Sequence, residues 1–449
     1  MPGPPPPDDW VGRDAAVVWH GFTQMATYAD NAPVVVDRAE GRELIDVDGR
    51  RYLDAISSLW VTTLGHRVPE LDAALVDQLG KVAHSTLLGN GNVAAVELAE
   101  ALVPRLPVPD AHLLFASDGA AAVEQALKIA FQHWWLQGER ERTTYLALGG
   151  AYHGDTIGSL SIGAGGFGTD LFDPLRFPVV RTPGYDDPDW LATALTTLER
   201  EAGRLAAVVV EPLVQGAAGM QIADPDEVGR FGAACRDAGV LVIADEVATG
   251  FGRTGTLFAS EQCGLVPDLM AIGKGITGGY LPLSATAAAP HVYASFLGPD
   301  LSEHTLYHGH SYSGNALACA VARRHLELVD EWDVLANVRA RADQLGAALD
   351  DQVVGHPAVA DVRRRGLMVG VELAPPAAGL RWGRRVCAGA VARGVLLRPL
   401  GDVVVLMPPL TTTADEVDRI VTVLRAALDE VADVDRAPAG GAPAGAGRP

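Results

Sequence analysis

Cysteine is scarce in this chain of 449 residues: there are four, Cys235, Cys263, Cys319 and Cys387, far apart and without a CxxC pair. That spacing excludes a zinc knuckle and a disulfide framework, and four reduced, buried thiols are expected. Basic residues are also few, 35 Lys and Arg against 56 Asp and Glu, giving a formal net charge of -21. Nucleic-acid binding draws most of its affinity from cations placed on phosphates, so a nucleic-acid partner is not expected. No run approaches the ~18 unbroken apolar residues of a membrane span. The N-terminus "MPGPPPPDDW" lacks a basic segment followed by an apolar one. No membrane partner is expected, and the cytoplasm is the expected compartment. Internal repeats are missing as well.

What is present is the composition of an ordinary folded protein, with 48% hydrophobic and 20% charged residues. The length exceeds one typical core, so two domains are expected. Both ends, "MPGPPPPDD" and "RAPAGGAPAGAGRP", offer too little apolar surface to offset the entropy of ordering. From residue 33, "APVVVDRAEGRELIDVDGRRYLDAISS" alternates apolar and polar around Glu40-Gly41 and Asp48-Gly49, as antiparallel strands do. The middle alternates helical stretches such as "AAAVEQALKIAFQHWWLQG" with the short apolar runs "TTYLALGG", "LAAVVVEPL", "GVLVIADEV" and "PDLMAIGK". That is the pattern of a mainly parallel sheet buried on both faces, an α/β fold. Strands return in "VADVRRRGLMVGVELA" and "GVLLRPLGDVVVLMPPL", before a helix from about Ala414 to Val431. The organisation read from this is a large α/β domain over 64–335, a smaller α+β domain from 1–63 and 336–435, and a disordered tail over 436–449.

In open parallel sheets, ligands bind beyond the carboxyl ends of the strands, so residues just after the apolar runs are the candidates for chemistry. "GVLVIADEVATG" ends in Asp245 and Glu246, and "PDLMAIGKG" in Lys274. "TTYLALGGAYHGD" ends in Tyr152, His153 and Asp155, and "AHLLFASDGAAAVEQALK" places Ser117-Asp118-Gly119 at the start of a helix. A helix N-terminus suits a phosphate, although Ser117 or Asp118 as an ordinary cap explains the same turn. A lysine, a carboxylate, an aromatic ring and a phosphate cradle are together the parts that hold pyridoxal 5'-phosphate: the lysine forms a Schiff base and the carboxylate keeps the pyridine nitrogen protonated.

Two other motifs carry less. "GAGGFG" at 163–168 matches a dinucleotide fingerprint, but no helix pattern follows it and Pro174 comes soon after. His304, His308 and His310 have spacing that suits a metal, yet a glycine-containing loop does not ensure that their rings share one face, and no metal is expected.

The runs "IADEVATGFGRTGTLFASE" and "PDLMAIGKGITGGYLPLSA" resemble the signature of the class III aminotransferases, pyridoxal phosphate enzymes of fold type I. The resemblance extends through "WHGFTQM", "SSLW", "YHGDTIG", "VVEPLVQGAAGM", "HGHSYSGNALACAVA" and "LLRPLGDVVVLMPPL". Within the class, "SSLW", "YHGDT" and "RPLGD" are similar to the branch of biotin biosynthesis that converts 8-amino-7-oxononanoate to 7,8-diaminononanoate. The resemblance implies that Lys274 holds the cofactor and moves protons, that Asp245 pairs with the pyridine nitrogen, and that Tyr152 stacks on the ring. Gly119 and Ala120 would offer N–H groups to the phosphate, and Ser311 would reach the phosphate of a neighbouring subunit, which requires a homodimer with shared active sites. Trp60, Tyr152, Gly309 and Arg398 would line the substrate pocket, Arg398 binding the carboxylate through its planar fork. Ala120 stands where many relatives have serine. Phe22 and Leu59 depart from relatives that take the amino group from S-adenosylmethionine, and "FTQM", "AHSTLLG" and "HGHSYSGN" look more like those that use lysine. Both donors stay open.

Overall fold

The computed structural model describes residues 6, 8–166 and 168–436. The unstructured ends expected from composition fall largely outside them. Gly41 and Gly49, both at positive φ, turn the chain between three short strands, β1 (Val36–Glu40), β2 (Glu43–Asp46) and β3 (Arg51–Asp54). They pair antiparallel, as the alternation predicts.

The middle of the chain builds a seven-stranded sheet. Its first strands are β4 (His112–Ala116), β5 (Thr144–Leu148), β6 (Val180–Thr182) and β7 (Leu205–Val210). A two-stranded ribbon, β8 (Val214–Gln215) with β9 (Gln221–Ile222), interrupts the series. The sheet then takes up β10 (Leu241–Asp245), β11 (Leu269–Ile272) and β12 (Ser284–Ala288), in the spatial order β4-β12-β11-β10-β7-β5-β6. β12 runs antiparallel to both its neighbours, and the other neighbouring pairs are parallel. Every residue of β7, β10, β11 and β12 is buried. Such strands read as continuous apolar runs because helices cover both faces of the sheet. β12 was not among the runs read as strands: "SATAA" is rich in alanine, which strands ordinarily disfavour.

The helix Gly119–Leu136 follows β4 directly and lays Ala122, Val123, Ala126, Leu127 and Ala130 on the sheet. After the helices Ala316–Glu331 and Val334–Gln352 come β13 (Val359–Arg365), β14 (Met368–Leu373), β15 (Val395–Leu396), β16 (Arg398–Leu400) and β17 (Val403–Leu406). Four of them form an antiparallel sheet in the order β13-β14-β17-β16. β15 instead pairs in parallel with β3, joining the two ends of the chain. A separate apolar cluster, including Val371, Val404, Leu406, Val417 and Leu424, packs this sheet against the closing helix Ala414–Arg436. The four cysteines are free, with Cys235, Cys319 and Cys387 buried and Cys263 half-buried.

Candidate active site

The carboxyl ends of β4, β5, β7, β10 and β11 open into one cavity of about 780 Å³, whose wall includes Gly119, Tyr152, Glu211, Asp245 and Lys274. Asp245 and Glu246 illustrate how the strand sorts its side chains. Successive residues of a strand face opposite sides, so Asp245 enters the cavity while Glu246 turns into the protein. There Glu246 is satisfied by Ser260, whose N–H and hydroxyl both donate at 2.7 Å, and by the Ala259 N–H at 3.1 Å. Glu246 is therefore a structural carboxylate.

Asp245 is held from two sides. The Val247 N–H donates to its Oδ1 at 3.0 Å, and His153 Nδ1 lies 2.7 Å from its Oδ2. Burial by itself would lower the His153 pKa, but the hydrogen bond and charge of Asp245 outweigh it and the shift is upward. His153 Nε2 is buried without a partner among the described residues. The sequence places His153 at the end of the β5 run; its bond to Asp245 spans 92 residues and carries no local signal.

Lys274 begins a turn of 3-10 helix, Lys274–Thr277, at φ +43, and Gly278 and Gly279 end it at positive φ. A Cβ on Gly275 would lie 3.1 Å from both Phe251 Cβ and Thr63 Cγ2, and one on Gly279 would lie 2.9 Å from Thr62 Cα. The glycines after Lys274 are thus required by the protein's own packing, which brings the Trp60–Thr62 segment against the lysine turn. The result is a lysine amine 4.6 Å from the centroid of the Trp60 ring. Burial, opposed by the charges of Asp245 and Glu211, pushes the Lys274 amine down to about 8. An amine with that pKa exchanges a proton readily near neutrality.

Tyr152 lines the cavity, and its hydroxyl donates to Asp155 Oδ2 at 3.0 Å. Burial raises its phenol pKa well above the usual value, so it stays neutral. Also lining the cavity, Asp118 caps the helix by accepting from the Ala121 N–H at 2.9 Å. The N–H groups of Gly119 and Ala120 lie in the first turn, where the helix supplies no acceptor. A Cβ on Gly119 would come 2.6 Å from Val247 Cγ1, so glycine lets the helix start sit directly beside the Asp245 loop. The cap is present, at a helix start that lines the cavity.

Three residues implied by resemblance are not in this cavity wall: Gly309, Ser311 and Arg398 are exposed, Arg398 on β16. Ser311 accepts through its backbone carbonyl from His84 Nε2 at 2.8 Å. The three histidines of the same loop face separate partners: His304 the Ser295 carbonyl, His308 the Lys128 amine, and His310 the Ser117 hydroxyl. Among the described residues no three His, Cys, Asp or Glu side chains gather as a metal site. "GAGGFG" follows a short helix, Ile157–Ile162, rather than a strand, and Phe167 lies outside the described residues.

The residues present fit pyridoxal 5'-phosphate by the chemistry of their donor set. One amine, one carboxylate fixed by a buried histidine, one aromatic ring and one helix N-terminus face a common space. The model for class III aminotransferases matches residues 24–428, and the chain belongs to that family, whose members are pyridoxal phosphate enzymes. It is an aminotransferase. An adenosylmethionine-8-amino-7-oxononanoate aminotransferase of Nitratidesulfovibrio vulgaris is 45% identical over 94% of this chain and 81% of its own length. The crystal structure of the protein of that name from Methanocaldococcus jannaschii superposes with a TM-score of 0.90 at 36% identity, covering 93% of this chain and 98% of the other. An amine transaminase from an uncultivated Pseudomonas species, solved in its PLP-bound form, gives 0.87 at 33% identity over 92% and 98%.

Proposed function

We propose that this enzyme transfers an amino group to C7 of 8-amino-7-oxononanoate, giving 7,8-diaminononanoate in biotin biosynthesis, with S-adenosylmethionine or lysine as donor. The observation that carries the reading is the joint placement of Lys274, Asp245, Tyr152 and Trp60 around one cavity in a chain whose relatives bear that name. When bound, pyridoxal 5'-phosphate supplies an electron sink for the carbon that loses or gains the amine. Lys274 Nζ takes the proton from the donor carbon and returns one to C7 of the acceptor, for which its depressed pKa suits it. Asp245, oriented by His153, would hold a fixed negative charge for the pyridine nitrogen, and Tyr152 would stack on the ring. The Gly119 and Ala120 N–H groups would hold the phosphate. Trp60 covers the lysine and keeps water from it.

The organisation that fits this reading is a large domain over 64–335 and a small one from 1–63 and 336–435. Gly309, Ser311 and Arg398 act at the edges of the site, Ser311 in a homodimer whose sites are shared. The exposure of all three in one chain supports that arrangement. Among the described residues no helix is long and apolar enough to cross a membrane, and a cytoplasmic location accords with that.

Purified enzyme given 8-amino-7-oxononanoate and either donor yields diaminononanoate by mass spectrometry; no product with either donor overturns the substrate assignment and leaves the family untouched. A second reading, transfer between a different amine and ketone, is favoured by the likeness to the amine transaminase. Faster turnover of simple amines and ketones than of 8-amino-7-oxononanoate is the result that selects it.

A further inference from the structure

The cavity wall is acidic. Asp118, Asp155, Glu211 and Asp245 line it against one amine, Lys274, and, among the described residues, no arginine. Three of the four carboxylates have commitments. Asp118 caps a helix, Asp155 is exposed and accepts from Tyr152, and Asp245 is bound by His153 and Val247. Glu211 differs. It is 5% exposed, and its side chain accepts from two backbone N–H groups, Tyr152 at 3.1 Å and Gly216 at 3.3 Å, one to each oxygen. Each carboxylate oxygen has a second lone pair to fill. The titratable groups that feel its charge are His153, Asp245, Lys274 and the Tyr152 phenol, and the Tyr185 hydroxyl donates to its backbone carbonyl at 2.8 Å.

A buried carboxylate facing a cavity, without a salt bridge among the described residues, costs free energy that an arriving cation repays. Such an interaction is strong where water is excluded and weak where it is not, which separates Glu211 from the exposed Asp155. The substrate proposed above has a suitable cation: an ammonium on C8, adjacent to the carbon that reacts. A residue beside Tyr152 and electrostatically coupled to Lys274 is placed to meet it.

We infer that Glu211 is the specificity residue for the amine neighbouring the reacting carbonyl, so that the enzyme selects vicinal amino ketones over plain ketones. This rests on the proposed acceptor and adds the group that recognises it. Glu211 forms no covalent bond in the step; it binds the C8 ammonium and holds C7 in register with Lys274.

The test compares 8-amino-7-oxononanoate with 7-oxononanoate, which differs by the C8 amine alone, on wild type, Glu211→Gln and Glu211→Asp. Wild type is expected to favour the amino ketone by about 10- to 100-fold in kcat/KM, the size of one charged hydrogen bond. Glu211→Gln is expected to lose that preference through KM, the ratio of kcat/KM for the two ketones falling to within about 3-fold of unity. Glu211→Asp, shorter by one methylene, is expected to fall between, and it decides the matter if the glutamine variant does not fold. Calorimetric binding of 8-amino-7-oxononanoate should weaken in parallel. Diaminononanoate formed with an equal preference in all three proteins, or a wild type that does not discriminate, overturns the inference alone. A wild type that turns over simple amines but forms no diaminononanoate overturns the proposed acceptor and this inference with it.

Discussion

The Lys274 amine lies 4.6 Å from the centre of the Trp60 indole, although 213 residues separate them in the chain. Trp60 sits at positive φ in the "SSLW" segment, and a Cβ on Gly216 would already touch its ring at 3.1 Å, so the indole is fixed from behind. The face of an indole attracts an ammonium, whereas burial opposes one. Here burial dominates and pushes the amine down to about 8.

Replacing Trp60 with alanine admits water and lessens the burial that depresses the amine. The Lys274 pKa is expected to rise toward its ordinary value of 10.5. Reaction of cofactor-free protein with an acylating reagent, followed by peptide mass spectrometry over a pH range, measures it. An unshifted midpoint contradicts burial as the cause.

Removing His153 strands Asp245, which is 5% exposed. His153→Ala is expected to cost about 3–5 kcal/mol in urea denaturation of the cofactor-free protein, the usual loss when one member of a buried pair is deleted. His153→Asn, whose amide can still donate to Oδ2, should lose less. Equal losses in the two variants would show that packing, rather than the bond to Asp245, is what matters.

Glu211 makes stability depend on pH. Burial raises its pKa from 4.5 to about 7, so between those values the folded state binds more protons than the unfolded one. Stability then falls as pH rises through that window. Relative to Glu211→Gln, the wild type is expected to lose on the order of 3 kcal/mol from pH 4 to pH 8 in denaturant titrations. A constant difference between the two proteins would contradict the shift.

At the phosphate end, Gly119→Ala places a methyl 2.6 Å from Val247 Cγ1 and must push the helix start from the Asp245 loop. Pyridoxal 5'-phosphate affinity is expected to fall at least about 10-fold by absorbance titration, equivalent to about 1.4 kcal/mol. Ala120→Ser adds a hydroxyl in the same turn and is expected to raise affinity several-fold, as one further hydrogen bond does.

Lys274, Asp245 and Tyr152 were legible in the sequence because each follows an apolar strand closely, and strand ends are where an open sheet binds ligands. The Asp118 cap was legible for a similar local reason: it stands three residues before the N–H it accepts. β12 was not, since its alanines and serine do not mark a strand. The bond of His153 to Asp245 and the seat of Trp60 on Lys274 depend on segments distant in the chain, which no local pattern encodes. Gly309, Ser311 and Arg398 entered through resemblance alone, and a single chain leaves them outside the cavity wall.

The central claim is that Lys274 is the residue that carries the cofactor. The chain has three lysines, Lys81, Lys128 and Lys274, which makes the measurement decisive. Holoenzyme reduced with borohydride, digested and sequenced by mass spectrometry should carry a phosphopyridoxyl group on Lys274, and Lys274→Ala should carry none. A label on Lys81 or Lys128, or an unlabelled Lys274 in protein that transfers amines, would contradict it.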